Sequence, residues 1–256
     1  MPLSLIDSHV HLDDLAFDED RDAVLARARA AGIRDMVIPA ITAATWPHLR
    51  DVCRDHPDLH PAYGLHPMFL AQHAPGDLDS LEQWLRNEPA VAVGECGLDF
   101  HVEGLDPDIQ RGLFRRQLEI ARAHDLPVII HARKAVEEVI HTIRSIGHLR
   151  GVIHSYSGSP EQARQLHDLG FLIGLGGPVT YARARRLQRV AASVPIDQLL
   201  LETDAPDQPD AEHRGSRNEP ARLPHVAACI AALRDISINE LADATSVNAR
   251  RLFRLP

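Results

Sequence analysis

The sequence has few cysteines and no long apolar run. Its three cysteines, Cys53, Cys96 and Cys229, lie at scattered positions. This number and spacing fit neither a disulfide framework nor a CxxC metal site, so we expect reduced and chemically inert thiols. No apolar stretch reaches the length of a membrane span, and the N-terminus lacks the basic, apolar and small-residue segments of a secretory signal. We therefore expect a cytoplasmic protein that does not contact a membrane.

Positive charge is also scarce. The 256 residues include 27 Lys and Arg against 36 Asp and Glu, which gives a formal net charge of −9. This balance argues against a broad electropositive surface that follows a duplex, although it allows a local basic or metal-lined cleft for phosphates. Any contact with nucleic acid is expected to be small and local. With 45% apolar residues the chain can bury a large core, in one large domain or two small ones.

Eight short apolar runs, often rich in β-branched residues, alternate with longer stretches of helical periodicity. Two of the predicted helices span residues 18–31 and 107–124. A third has Ser159 as its N-cap, a capping box completed by Gln162, and Gly170 after its last turn. The predicted strands span residues 3–7, 36–41, 61–65, 90–94, 127–130, 151–153, 171–175 and 198–201.

This alternation predicts the fold class. Strands that alternate with helices require right-handed crossovers and a parallel sheet, and eight such units in about 250 residues match an α/β protein of the (β/α)₈ TIM-barrel type. We expect one domain over residues 1–256, with a doubly wound open sheet as the alternative. The longest irregular stretch, residues 205–220, follows the eighth strand and is expected on the rim of a site.

The segment "SLIDSHVHL" at residues 4–12 carries two histidines two positions apart. In an extended chain, positions i and i+2 lie on the same face, so Asp7, His9 and His11 are expected to project to one side. Two imidazoles placed in this way can bind one ion. A pair of ordinary surface or core histidines is the alternative, and the rest of the chain must decide between them.

Other predicted strands also end in a histidine or a carboxylate residue, and in a barrel the carboxyl ends of the strands gather at one mouth. One such residue has a simple structural explanation, but six strands with the same property are hard to attribute to chance. Even without His66, four imidazoles and two carboxylates exceed the needs of one tetrahedral zinc site and suit two divalent ions that share a bridging carboxylate. This pattern predicts a binuclear hydrolase. The residues at the strand ends are His9 and His11, His66, Glu95, His131, His154 and Asp204.

Seven segments resemble the TatD-related metal-dependent hydrolases, which belong with the amidohydrolase-like barrels. The resemblance implies divalent-metal-dependent deoxyribonuclease activity, in several members a 3′ to 5′ exonuclease, with single-stranded DNA, DNA ends or a small phosphoester as substrate. It also implies six metal ligands, namely His9, His11, Glu95, His131, His154 and Asp204. The segments are "IDSHVHL", "GLHP", "VGECGLDF", "LPVIIHAR", "GVIHSYSGS", "LLLETDAP" and "GSRNEPA".

The sequence departs from the commonest family pattern at "HSYSG", at Lys134 and at "GECGLDFH", and none of these departures removes a ligand. They leave open a second hypothesis, a binuclear hydrolase of small esters, lactones or amides, because similar barrels support both chemistries by changing loops. A third, a binding protein with a vestigial site, predicts a replaced ligand, whereas all six positions are intact. No obligate protein partner is implied.

The expected mechanism uses Glu95 to bridge two ions and Asp204 as the general base for a metal-activated water. Zinc, manganese and magnesium all remain possible as the ion. His66 and Arg133 are candidates for substrate contact. Three further carboxylates, Asp7, Asp99 and Glu202, could orient imidazoles or backbone from behind, or pair with cations deeper in the barrel. The basic run at 183–189 is either a phosphate-binding patch or a solvated helix face.

Overall fold

The structure, a computed structural model, describes residues 3–256. Eight parallel strands form one sheet in the order β1 to β8. The amide and the hydroxyl of Ser8 each donate to the Leu201 carbonyl at 2.9 Å, which brings the first and last strands together. The predicted (β/α)₈ barrel is therefore confirmed over the open-sheet alternative. The strands are β1 (Leu5–Asp7), β2 (Ile33–Pro39), β3 (Leu59–Tyr63), β4 (Ala92–Asp99), β5 (Val128–Arg133), β6 (Gly151–Ile153), β7 (Phe171–Leu175) and β8 (Leu199–Leu201).

Nine α-helices are present among the described residues, and one follows each strand. The eighth strand is followed by two helices, the last of which lies at the C-terminus. Within residues 3–256, no helix combines the length and apolarity needed to cross a membrane. The helices are α1 (Arg21–Ala30), α2 (Trp46–Arg54), α3 (Asp77–Asn87), α4 (Pro107–Ala123), α5 (Val136–Ile146), α6 (Pro160–Asp168), α7 (Arg185–Ser193), α8 (Leu223–Arg234) and α9 (Ile238–Phe253). The capping box of Ser159 and Gln162 is formed at the start of α6.

Strand β4 and its neighbour β5 continue further than predicted. Strand β4 ends at Asp99 rather than at residue 94, and β5 ends at Arg133 rather than at residue 130. Gly97 permits this extension, because a Cβ at this residue, whose φ is +142°, would lie 2.0 Å from the His131 carbonyl oxygen. Glu95 and His131 consequently lie inside paired strands rather than after them.

The barrel interior is filled by one apolar side chain from each strand. Leu252 and Phe253 of α9 join this cluster, so the last helix covers the end of the barrel where the strands begin. A larger apolar cluster fills the space between the strands and the surrounding helices. The end where the strands finish is left to polar groups, as is usual for this fold. The strand contributions are Ile6, Val37, Ala62, Ala92, Ile129, Val152, Leu172 and Leu200.

Candidate metal centre

Glu95 occupies the middle of a cluster of histidines at the open end of the barrel. Its Oε2 lies 3.2 Å from His9 Nε2 and 3.6 Å from His11 Nε2. Its Oε1 lies 2.7 Å from His154 Nε2 and 3.2 Å from His131 Nδ1. Each oxygen of this buried carboxylate therefore faces a different set of imidazole nitrogens, and His66 Nε2 is a third neighbour of Oε1.

Asp204 completes one side of the cluster. Its Oδ1 lies 3.4 Å from His9 Nε2 and 3.5 Å from His11 Nε2. Backbone hydrogen bonds hold this arrangement, since the amide of Asp204 donates to the His9 carbonyl at 2.9 Å and the amide of His11 donates to the Ala205 carbonyl at 2.8 Å. The segments that follow β1 and β8 are thus joined on both sides of the carboxylate. All six predicted ligands lie in one group.

The buried carboxylate of Asp7 lies below this cluster and holds backbone rather than an imidazole. It accepts hydrogen bonds from the His9 amide at 3.3 Å and from the amide and hydroxyl of Thr203 at 3.0 and 2.6 Å. Burial raises the pKa of Asp7 to about 7, although the hydrogen bonds from Thr203 and His9 oppose this change. Asp7 therefore links the two segments that carry His9 and Asp204.

Asp99 and Glu202 lie behind two of the imidazoles. Asp99 Oδ2 is 2.9 Å from His131 Nε2, which directs the other ring nitrogen towards Glu95. Glu202 Oε1 accepts a hydrogen bond from the Ser155 amide and lies 4.0 Å from His154 Nδ1. A carboxylate that hydrogen-bonds the outer ring nitrogen, as Asp99 does, orients a histidine for metal binding.

The two residues expected to contact substrate lie in different surroundings. His66 is buried, and its Nε2 is 2.9 Å from Glu95 Oε1, so it belongs to the cluster itself. Arg133 is exposed and lines the cavity above the cluster. The structure thus places Arg133 where a substrate contact was expected and His66 deeper than expected.

Burial and charge act in opposite directions on the ionisation of the cluster. Burial disfavours the charged form of Glu95, but the surrounding imidazoles, His154 first, hold its pKa well below the usual range. Burial likewise opposes ionisation of Asp204, and the contact with His11 lowers its pKa to about 2. Burial would lower the pKa of His154, whereas the charge of Glu95 raises it to about 9. By contrast, burial and the charge of His154 lower the pKa of His9 to about 4. The carboxylates are therefore ionised, as metal ligands must be.

A cavity of about 910 Å³ opens above the cluster. Asp13, Asp14 and Asp207 line it, and Arg133 is the one arginine or lysine found in its lining, counted over the described residues. Asp207 comes from the 205–220 stretch, which was expected on the rim of a site. The lining is thus acidic on one part of its rim and basic at a single position.

Three residues that sequence reasoning did not single out support the site. Asn218 is buried, and its Nδ2 donates to the carbonyls of Thr203 at 2.9 Å and Asp207 at 2.8 Å. Gln208 Nε2 donates to Asp204 Oδ2, and Ser155 donates its hydroxyl to Gln208 Oε1 at 2.8 Å. The segment "GSRNEPA" was the available signal for Asn218, because an amide inside a long loop often satisfies loop backbone.

The donor atoms fit a divalent metal. His9 Nε2 and His11 Nε2 are 3.2 Å apart, and His131 Nδ1 and His154 Nε2 are 3.3 Å apart. Two nitrogens so close, both next to a carboxylate oxygen, are directed at a common point, as the ligands of one ion are. Imidazole nitrogens and carboxylate oxygens are common ligands of zinc and manganese. Three overlapping groups of candidate ligands occur here, namely His9, His154 and Asp204; His9, His11 and Glu95; and His66, Glu95 and His131.

Several known proteins are similar in sequence to this chain over nearly its whole length. The chain is 39% identical over 256 residues to an uncharacterized metal-dependent hydrolase, YjjV, of Escherichia coli (strain K12), with 98% of each chain covered. It is 35% identical over 253 residues to an uncharacterized metal-dependent hydrolase, YabD, of Bacillus subtilis (strain 168), covering 98% of this chain and 99% of that protein. It is also 35% identical over 259 residues to the 3′-5′ ssDNA/RNA exonuclease TatD of Erwinia tasmaniensis, covering 98% and 100%.

A solved structure and a family model agree with these sequence similarities. The crystal structure of YjjV, a TatD homologue from Escherichia coli K12, superposes with a TM-score of 0.96 over all of both chains, at 36% identity. The family model described as TatD related DNase matches residues 6–254. With the acid and histidine cluster in place, the chain belongs to the TatD-related DNase family and is a metal-dependent hydrolase of that family.

Proposed function

We propose that this hydrolase cleaves phosphodiester bonds and removes nucleotides from the 3′ end of single-stranded DNA. The observation that carries the proposal is the position of Glu95, whose Oε2 faces the imidazoles of His9 and His11 while Oε1 faces those of His131, His154 and His66. A carboxylate in such a position suits two ions, and paired ions are common where phosphodiesters are hydrolysed. The name of the Erwinia tasmaniensis relative supports the same substrate class.

The proposed site holds two divalent ions, of zinc, manganese or magnesium. His9, His11 and Asp204 would hold one of them and His131 and His154 the other, with Glu95 between them. When bound, such ions lower the pKa of a water and neutralise charge on a phosphate. His66 Nε2, at 2.9 Å from Glu95 Oε1, either joins the second set of ligands or fixes the Glu95 carboxylate.

Asp204 is the proposed general base. Gln208 binds Oδ2, which leaves Oδ1 directed at the cluster. In the proposed reaction the oxygen of the attacking water forms a bond to phosphorus and its proton passes to Asp204. The bond from phosphorus to the 3′ oxygen breaks, and the departing 3′ oxygen takes this proton and leaves as a hydroxyl group. Arg133 binds the phosphate from the cavity rim, where a guanidinium can make two parallel hydrogen bonds.

The test uses a 5′-labelled single-stranded oligonucleotide and a circular single strand of the same composition. Protein loaded with Mn²⁺ or Zn²⁺ should shorten the linear strand from its 3′ end and leave the circle uncut. Chelated protein should cleave neither. If metal-loaded protein leaves the linear strand intact at high enzyme concentration, the nuclease proposal is wrong.

One observation favours a second function, the hydrolysis of small esters, lactones or amides. Besides Asp204 of the cluster, three aspartates and a single arginine line the cavity, and this balance attracts a polyanion only weakly. A neutral or weakly charged substrate would meet less repulsion. Comparison of kcat/KM for an oligonucleotide and for a panel of p-nitrophenyl esters and lactones, on the same metal-loaded sample, separates the two functions.

A further inference from the structure

Two of the most exposed apolar side chains of the molecule lie on the rim of the active-site cavity. The structure has five large apolar residues that are exposed among those it describes. Leu15, at 79% exposure, and Met68, at 38%, both line the cavity, together with the partly exposed Phe69. We call Leu15, Met68 and Phe69 the apolar rim. Exposed apolar side chains next to a catalytic centre are expected to contact substrate.

The apolar rim is tied to the metal centre by its backbone. The amide of Met68 donates to His66 Nδ1 at 3.1 Å, and the other nitrogen of the same ring contacts Glu95. The ring of Phe69 lies 5.6 Å from the ring of His66, centroid to centroid, in a T-shaped arrangement. The segment that positions the imidazole of His66 therefore also positions the aromatic ring of Phe69 beside it.

The charged residues that line the cavity differ between its two sides. Asp13 and Asp14 directly precede Leu15, so a second phosphate on this side would be repelled. Arg133 ends β5, which lies opposite β1 in a barrel of eight consecutive strands and two strands away from β3, the strand that precedes Met68 and Phe69. An uncharged, flat group suits the first side and a phosphate suits the second.

We propose that the apolar rim binds the base of the 3′-terminal nucleotide, while Arg133 binds the phosphate that is attacked and the rest of the strand leaves the cavity on the side of Arg133. This inference rests on the proposed nuclease function and deepens it, since it states which part of the substrate each side of the cavity binds. Bases of any identity have an apolar face, so the contact selects a nucleotide end without selecting a sequence. It also accounts for cleavage at an end, because no phosphate is tolerated beyond the terminal nucleoside.

The test compares two oligonucleotides that differ only at the 3′ end, one with a normal terminal nucleotide and one with an abasic tetrahydrofuran residue. Release of the terminal residue is measured on metal-loaded protein. The native protein should prefer the normal end by about 5- to 100-fold in kcat/KM, the range expected for one stacked base. Phe69→Ala should lose most of this preference through a higher KM, with little change on the abasic strand, and Phe69→Tyr should retain it.

Leu15→Ser and Met68→Ser provide independent tests at exposed positions, where folding is not at risk if Phe69→Ala proves unstable. Val247→Ala is the matched control, because Val247 is 60% exposed on α9, at the far end of the barrel. It should leave the preference unchanged.

The outcomes separate the two proposals. If native protein releases both ends with equal kcat/KM, or if the Phe69, Leu15 and Met68 variants keep the native preference, the apolar rim does not bind the base, and the nuclease function stands. If native protein releases neither end, the nuclease function is wrong and this inference is wrong with it.

Discussion

At the scale of single residues, Asp204 is the position where coordination and catalysis can be separated. Asp204→Asn keeps the shape and one oxygen but removes the charge that accepts the proton of the water. We expect kcat on an oligonucleotide to fall by at least about 10², the lower end for loss of a general base, while metal stays bound. Rate and metal content are measured on the same sample.

Asp207→Asn is the matched control for this substitution. Asp207 lines the same cavity three positions further along the chain, and its amide donates to the Asp204 carbonyl at 2.9 Å. Among the described residues, its carboxylate makes no hydrogen bond or ion pair with the histidine cluster. Its substitution should change kcat by less than about threefold. A near-native rate in Asp204→Asn with full metal content would show that Asp204 is a ligand only.

The histidines of the cluster should be needed for metal and dispensable for the fold. His9→Ala and His131→Ala each remove one imidazole near Glu95, at the mouth of the barrel and away from the apolar layer at its other end. We expect metal content after dialysis to fall by half or more, with an unchanged far-ultraviolet circular dichroism spectrum. His141→Ala, at an exposed position on α5, is the control. Native metal content in both cluster variants would contradict the assignment.

At the scale of elements, the segment after β8 depends on Asn218. Its side chain binds the carbonyls of Thr203 and Asp207 and therefore holds both flanks of Asp204. Asn218→Ala leaves these buried acceptors without a donor, which should lower the free energy of unfolding by about 1–3 kcal/mol. Activity should fall as well, because Asp204 loses its fixed position. Urea denaturation measures the first effect, and Asn87→Ala, at the exposed end of α3, should change neither quantity. Equal stability of the two variants would contradict this account.

Strand β7 must carry a glycine where it passes Glu202. A Cβ at Gly174 would lie 2.0 Å from Glu202 Oε2, so Gly174→Ala should displace this carboxylate and weaken its contact with the Ser155 amide. We expect a loss of about 1–3 kcal/mol from overpacking and weaker metal retention.

Gly112 offers the matched control, because a Cβ at this position in α4 meets no atom within 4 Å. Gly112→Ala should raise the free energy of unfolding by about 0.5–1 kcal/mol, through helix propensity alone. Thermal denaturation of both variants checks the contrast. A stabilised Gly174→Ala protein would show that the strand can relax around the added methyl group.

At the scale of the whole molecule, the proposed ions should couple activity to stability. Five imidazoles lie within 3.6 Å of the Glu95 carboxylate. Ligands that bind the folded state alone stabilise it in proportion to ln(1 + [L]/Kd). Removal of metal by chelation should abolish hydrolysis and lower Tm, and added Mn²⁺ or Zn²⁺ should restore both. Elemental analysis should find up to two ions per chain. Full activity in metal-free protein would exclude the proposed mechanism.

The sequence by itself determined the alternation of strands and helices, and with it the barrel. Apolar runs and caps act locally, so features such as the capping box of Ser159 could be predicted residue by residue. The same reasoning selected seven residues at strand ends, because strand ends converge in any barrel, and the family resemblance implied six of them as ligands. Strands β2 and β3 begin and end two or three residues earlier than predicted. The extra length of β4 and β5 was also missed, because it depends on their pairing with each other and on the close approach at Gly97.

Only the tertiary structure decided how these residues meet. The contact of Asp7 with Thr203 joins positions 196 residues apart, and His66 and Glu95, 29 residues apart, come within 2.9 Å. The local sequence pattern likewise does not show how the imidazoles divide between the two oxygens of Glu95. Such contacts depend on the closure of the sheet and on the rotation of each side chain, which are properties of the packed barrel. The sequence could therefore name the candidate ligands, whereas packing decided which atom of each one faces the centre.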